Sequence, residues 1–219
     1  MKFEAVLFDC DGVLVDSEPI TNGVLRDMLE EGGWSLTAAE CMRVFVGKAV
    51  RDERSLIESR TGRPLTEDWM AEFYARRNVE LQAHLQAITG AHEAVAAAHA
   101  HVAQRIACAS GADRFKVEMQ LAQVGLMDYF EGRIFSGHEM PRSKPAPDVY
   151  LAAAAHLGVP GQQCLVIEDT PTGVTAGVAA GATVWAYCPL PECGPALLQA
   201  GAGLLFAHMA DLPPLLATA

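Results

Sequence analysis

The sequence predicts a doubly wound parallel α/β sheet carrying a small, all-helical second domain, and three observations support that expectation. Short apolar runs recur without polar alternation, helical stretches separate them, and one long segment near the N-terminus holds helical patterns and no convincing strand. The runs are AVLF at 5–8, IACA at 106–109, CLVI at 164–167 and TVWAY at 183–187, with GRIFSG at 132–137 a further candidate. Strands covered on both faces read as continuous apolar runs, because neither side meets water. Between them lie AHEAVAAAHAHVA and DVYLAAAAHLG, the second preceded by Pro145 and Pro147 and closed by Gly158. Proline at a helix start and glycine at its end fit helical boundaries. Strands alternating with helices make an open α/β sheet.

Residues 18 to about 85 break the alternation with NGVLRDMLEEGG, TAAECMRVFVG, VRDERSLIESRTG and TEDWMAEFYARRNVELQAHL. The core is therefore expected over residues 1–16 and 87–219, and a helical cap over 17–86. The segment 18–85 carries 9 basic and 12 acidic residues against 7 and 15 elsewhere, so it concentrates the positive charge. Gly173, Gly177 and Gly181 in GVTAGVAAG have the spacing of a membrane dimer motif but no long apolar context, so close packing of a helix on the sheet is expected there. LPPLLATA is expected to form a short final helix and tail.

A chain of 219 residues with 51% hydrophobic content can bury a sizeable core. Its net charge of −11 gives no source of attraction to nucleic acid or an anionic membrane surface, which leaves small molecules as the expected partners. No apolar stretch approaches the roughly 18 residues of a membrane span, and MKFEAVLFD has no leader character, so a cytoplasmic location is expected. Oligomeric state is left open, with a monomer favoured. The six cysteines show no CxxC pair, and reduced thiols are expected, including Cys188 and Cys193 in CPLPEC.

The ends of the apolar runs carry the chemistry. Residues i and i+2 of an extended chain share a side, so Asp9 and Asp11 would face one site if the extended geometry continues past Phe8. Ligands bind at the carboxyl ends of strands in open α/β sheets. By that rule IACA delivers Ser110 and Gly111, CLVI delivers Glu168 and Asp169, and GRIFSG leads on to Ser143 and Lys144. Each cluster alone could be a helix cap, with Ser110 or Asp113 capping one helix and Asp169 or Thr170 another. Four clusters at one edge argue for a site. Two carboxylates at about 4 Å repel by roughly 4 kcal/mol at an effective dielectric of about 20, so a cation is expected among them. All-oxygen ligands favour Mg²⁺, and Gly12 falls at the wrong place for a calcium loop. Ser110, the amides of Gly111 and of the loop after Asp9, and Lys144 suit a phosphate group. Pro145 biases Lys144 to an extended backbone.

DCDGV at 9–13, Ser110, Lys144 in SKPAPD and the acidic pair in EDTPTG resemble, in order, the four motifs of the haloacid dehalogenase superfamily. The helical insert after the first motif resembles the small cap of the branch that includes β-phosphoglucomutase and many sugar-phosphate phosphatases, on a Rossmann-like core. The resemblance implies Asp9 as nucleophile, forming an aspartyl-phosphate, and Asp11 as the acid and base. It also implies Mg²⁺ held by Asp9, the main-chain carbonyl of Asp11 and Asp169, with Glu168 a direct ligand or just outside that set. Ser110 and Lys144 would grip the transferring group. Asp11 must begin protonated, and the surrounding carboxylates and the phosphate dianion are expected to push it that way.

The expected function is a Mg²⁺-dependent phosphatase acting on a small phosphorylated metabolite such as a sugar or sugar-acid phosphate. Asp11 argues against dehalogenase chemistry, and a phosphonatase would lack this second aspartate. A sugar-phosphate mutase is the serious alternative, but the histidine of the resembling mutase's first cap helix falls here at Thr21, and residues 1–83 hold no histidine. A non-catalytic or receiver-like phosphate-binding protein is the alternative of a different class. The cap is expected to close over the site and select the substrate, with Lys48, Arg51, Arg76 and Arg77 as candidate contacts. Asp16 and Glu18 are read as hinge and cap contacts, Trp34, Trp69 and Trp185 as packing residues, and His99 and His101 as surface residues.

Overall fold

The structure is a computed structural model that describes residues 3–219. It divides into two compact units, Met1–Val15 with Gln86–Ala219, and Asp16–Leu85. The first contains a sheet of six parallel strands: β1 (Ala5–Phe8), β2 (Ile106–Ser110), β3 (Ile134–Ser136), β4 (Cys164–Glu168), β5 (Thr183–Tyr187) and β6 (Leu204–Phe206), in the order β3-β2-β1-β4-β5-β6. Every residue of β1, β2 and β4 is buried, which accounts for their uninterrupted apolar runs.

The helical unit contains α1 (Glu18–Glu31), α2 (Ala38–Phe45), α3 (Arg54–Thr61) and α4 (Glu67–His84), with no strand among its described residues. Leu25, Met28 and Leu29 of α1, Cys41 and Phe45 of α2, Ile57 of α3, and Met70 and Phe73 of α4 form its own core. Thr37 and Glu40 cap α2 reciprocally, and the Thr66 hydroxyl accepts from the Trp69 amide at the start of α4. Trp34 meets Phe45 edge-on and Trp69 stacks on Phe73, so both tryptophans pack as expected.

In the sheet unit, α5 (Ala91–His101), α6 (Arg114–Gln123), α7 (Met127–Phe130), α8 (Asp148–His156), α9 (Pro171–Ala179), α10 (Gly194–Gln199) and α11 (Leu212–Ala217) flank the strands. A Cβ on Gly177 would lie 2.8 Å from Val184 and 3.2 Å from Val166, so glycine lets α9 approach β4 and β5. Trp185 packs edge-on against Phe3. His99 and His101 are half-buried rather than on the surface, and His99 meets Tyr129 edge-on at 5.2 Å, because α5 lies beside α7. All six cysteines are free. Among the described residues no helix is long and apolar enough to cross a membrane.

Strand order reverses between β1 and β4, because β2 and β3 lie on one side of β1 and β4 to β6 on the other. Phe8 is level with Cys108 and with Ile167, so β1, β2 and β4 end within two residues of one another at the same edge of the sheet. A crevice at such a reversal is where open α/β sheets hold ligands.

Candidate active site

Asp9 follows β1 directly, and its amide donates to the Ile167 carbonyl at 3.0 Å, which ties the end of β1 to β4. Asp9 and Cys10 are buried and Asp11 is half-buried, and the charge of Asp11 is felt at Asp9. The chain then turns sharply. The amides of Leu14 and Val15 both donate to the Cys10 carbonyl, and Gly12 has a φ of +77°. A Cβ on Gly12 would fall on the Asp169 carboxylate, so this turn must be glycine for Asp169 to sit against it.

Asp9, Glu168 and Asp169 each offer an oxygen within 4.8 Å of the others. One cation of the chain already stands among them. Lys144 Nζ lies 2.6 Å from Asp9 Oδ1 and 2.7 Å from Glu168 Oε1, and also reaches the Ala109 carbonyl at 3.0 Å and the Tyr150 hydroxyl at 2.9 Å. Burial opposes the charge on Lys144, but Asp9 and Glu168 outweigh it and hold the ammonium well above its ordinary range. Burial pushes Asp9 up to about 7; Lys144 pulls it down, whereas Glu168 and Asp11 add to the rise.

Glu168 is sealed from solvent and surrounded by donors. Its Oε1 accepts from Lys144 and from the Tyr150 hydroxyl at 2.8 Å, and its Oε2 from the amides of Asp169 and Thr170 and the Thr170 hydroxyl. Burial alone would raise its pKa, but Lys144 and these hydrogen bonds overcome that and hold it below the usual carboxylate range. Tyr150, a fully buried residue of α8, is thus part of the site although no sequence motif points to it.

Three carboxylates and one ammonium leave this group two charges negative, which a divalent cation would cancel. The donors are all oxygens, the choice of a hard ion. The residues present therefore fit Mg²⁺.

Asp11 faces different company. Lys116 Nζ lies 2.7 Å from its Oδ1, and Gln120 Nε2 donates to the same oxygen at 2.9 Å. The sequence reading surrounds Asp11 with carboxylates. In the sheet unit its immediate partner is instead an ammonium, which comes from α6 and has no signal in the motifs.

Ser110 closes β2, is buried, and accepts from the Ala112 amide at 3.1 Å. The Ser136 hydroxyl donates to the Ala112 carbonyl at 2.6 Å, and a Cβ on Gly137 would come within 3.2 Å of Gly111 and 3.1 Å of the Ser143 hydroxyl. The loops after β2 and β3 therefore brace one another. The helix caps belong to Asp113, which accepts from the Lys116 amide, and Thr170, which accepts from Gly173.

Each candidate cation of the helical unit has a partner there. Lys48 pairs with Glu53 at 3.2 Å, Arg51 binds Glu67 through two hydrogen bonds, and Arg76 bridges Glu31 and Glu72. Arg77 is buried, donates to Asn78 and lies over the Tyr74 ring at 4.8 Å. Asp16 is exposed, and Glu18 accepts from Asn22 at 2.8 Å.

A family model described as haloacid dehalogenase-like hydrolase matches residues 3–181. A 6-phosphogluconate phosphatase of Escherichia coli is 28% identical over 215 residues, covering 98% of this chain and 95% of its own. A conserved haloacid dehalogenase-like protein of unknown function from Agrobacterium tumefaciens superposes with a TM-score of 0.85 at 30% identity, over 99% of this chain and 98% of that one. A haloacid dehalogenase family hydrolase from Deinococcus radiodurans, solved with bound phosphate and sodium, gives 0.80 at 33% identity, over 99% and 96%. Taken with the sheet order and the Asp9, Lys144 and Asp169 constellation, these matches establish that the chain belongs to the haloacid dehalogenase-like hydrolase family.

Proposed function

We propose that this protein is a Mg²⁺-dependent phosphatase that hydrolyses a small phosphorylated metabolite, a sugar or sugar-acid phosphate, through a phosphorylated Asp9. The observation that carries the reading is the placement of Asp9 at the mouth of β1, against the Lys144 ammonium and within 4.8 Å of the Glu168 and Asp169 oxygens. The names of relatives, 6-phosphogluconate phosphatase and fructose-1-phosphate phosphatase of Escherichia coli among them, favour the substrate class.

An oxygen of Asp9 attacks phosphorus, and the ester P–O bond breaks with its electron pair passing to the leaving oxygen. Asp11 supplies that oxygen with a proton. Asp11, now ionised, takes a proton from water as the water oxygen attacks the phosphorus. The Asp9 O–P bond then breaks, which restores the carboxylate and frees inorganic phosphate. Lys144, Ser110 and the Gly111 amide bear on the equatorial oxygens, where charge is spread. Asp9, Asp169 and the Asp11 carbonyl would hold Mg²⁺, which neutralises the phosphate and the carboxylates when bound. Glu168, with both oxygens already carrying donors, orients Lys144 and adds its charge to the group. Substrate choice is assigned to the helical unit, on the ground of its concentrated cations.

Phosphate release from a panel of phosphate esters tests the reading. Asp9→Asn should abolish turnover, and Asp11→Asn should cost about 10² to 10⁴ in rate or trap phosphoenzyme. Full activity in Asp9→Asn would refute the mechanism. The mutase alternative predicts isomer formation without net phosphate release.

A further inference from the structure

Lysine seldom lies buried without a partner, since taking its charge from water is costly. Lys116 is only 6% exposed, and Gln120 is fully enclosed. They stand four residues apart on one face of α6, and both donate to a single atom, Asp11 Oδ1, from 105 and 109 residues away in the chain. The direction of the Gln120 amide is set independently, because its Oε1 accepts from the Cys10 thiol at 3.6 Å. Asp113 in turn caps α6 by accepting from the Lys116 amide. The two donors therefore reach Asp11 from a helix whose first turn is itself fixed.

We propose that Lys116 and Gln120 are positioning residues that clamp Oδ1 of Asp11 and so aim its carboxyl group at the oxygen leaving phosphorus. The clamp has this effect only if Asp11 is the acid and base proposed above. Its loss should hurt most where protonation of the leaving group matters most.

Two probes of similar shape separate this from simple damage. p-Nitrophenolate departs as a stable anion, whereas phenolate is a poorer leaving group and gains more from a proton. For Lys116→Met and for Gln120→Met, kcat/KM for phenyl phosphate should fall about tenfold or more, while that for p-nitrophenyl phosphate falls much less. Since kcat/KM reports the step that forms phosphoenzyme, kcat limited by its hydrolysis should fall equally with both esters. Equal losses in kcat/KM for the two esters, or no loss, would overturn the clamp; if Lys116→Met fails to fold, Gln120→Met decides. Asp11→Asn, measured alongside, tells the two failures apart. A selective loss in Asp11→Asn but in neither clamp variant removes the clamp alone, and no selective loss in Asp11→Asn removes the role of Asp11 and the clamp with it.

Discussion

The hydroxyl of Tyr150 donates to Oε1 of Glu168 at 2.8 Å, and both residues are sealed from solvent. The same hydroxyl accepts from Lys144, so one phenol oxygen joins the carboxylate and the ammonium that face Asp9. Tyr150→Phe keeps the ring beneath Lys144, 4.6 Å from its Nζ, and removes only that link. The expected cost is about 1 kcal/mol of stability, and an equal loss at the transition state is about fivefold in rate. Thermal melts and phosphate-release kinetics check both; a variant unchanged in each would show that the link carries no energy.

Removal of divalent ions by a chelator should abolish turnover and leave the fold intact. Mg²⁺ at about 100 times its Kd should add about 2.7 kcal/mol of stability, read as a rise in Tm. Asp169→Asn should lose that rise. A wild-type Tm indifferent to Mg²⁺ would contradict the proposal that Asp9 and Asp169 hold the ion.

Gly173 and Gly177 are both in α9, but an alanine at each would meet different neighbours. At Gly173 the added methyl falls on the Glu168 carboxylate, and at Gly177 it meets the side chains of Val184 and Val166. Both substitutions are expected to cost about 1–3 kcal/mol by overpacking. Gly173→Ala should also lower kcat/KM well beyond Gly177→Ala, because it displaces the group that orients Lys144. Parallel losses in the two variants would contradict this.

Arg51 in the helical unit is bound to Glu67 on an exposed surface, a type of pair that contributes little to stability. Arg51→Ala should therefore leave the Tm nearly unchanged. If Arg51 meets the substrate, kcat/KM should fall for esters with a second anionic group and hold for neutral ones. A flat profile across the panel would exclude that contact.

Strands buried on both faces were the most legible feature of the sequence. AVLF and TVWAY coincide with β1 and β5, and CLVI and IACA fall one residue short of β4 and β2, where the polar residues Glu168 and Ser110 complete each strand. β6 has no comparable signal, because LLF is three residues long and half-buried at the sheet edge. Asp9, Asp11, Lys144, Glu168 and Asp169 were readable because each closes or follows a strand or precedes a proline. Tyr150, Lys116 and Gln120 sit inside helices, where periodicity reports only which face is buried. A lysine and a glutamine on the buried face of α6, beside Val117 and Leu121, were the available sign. Their common target could be found only from the pairing of β1 with β2.

The reversal of strand order between β1 and β4 also means that the charged groups around Asp9 meet only across long stretches of chain. Asp9 and the ammonium it faces lie 135 residues apart in the chain, and β4 follows that lysine. A chain cut before β4 thus carries Asp9 without the groups that the proposed mechanism needs to aim it, so that chemistry would require the sheet to be complete through β4.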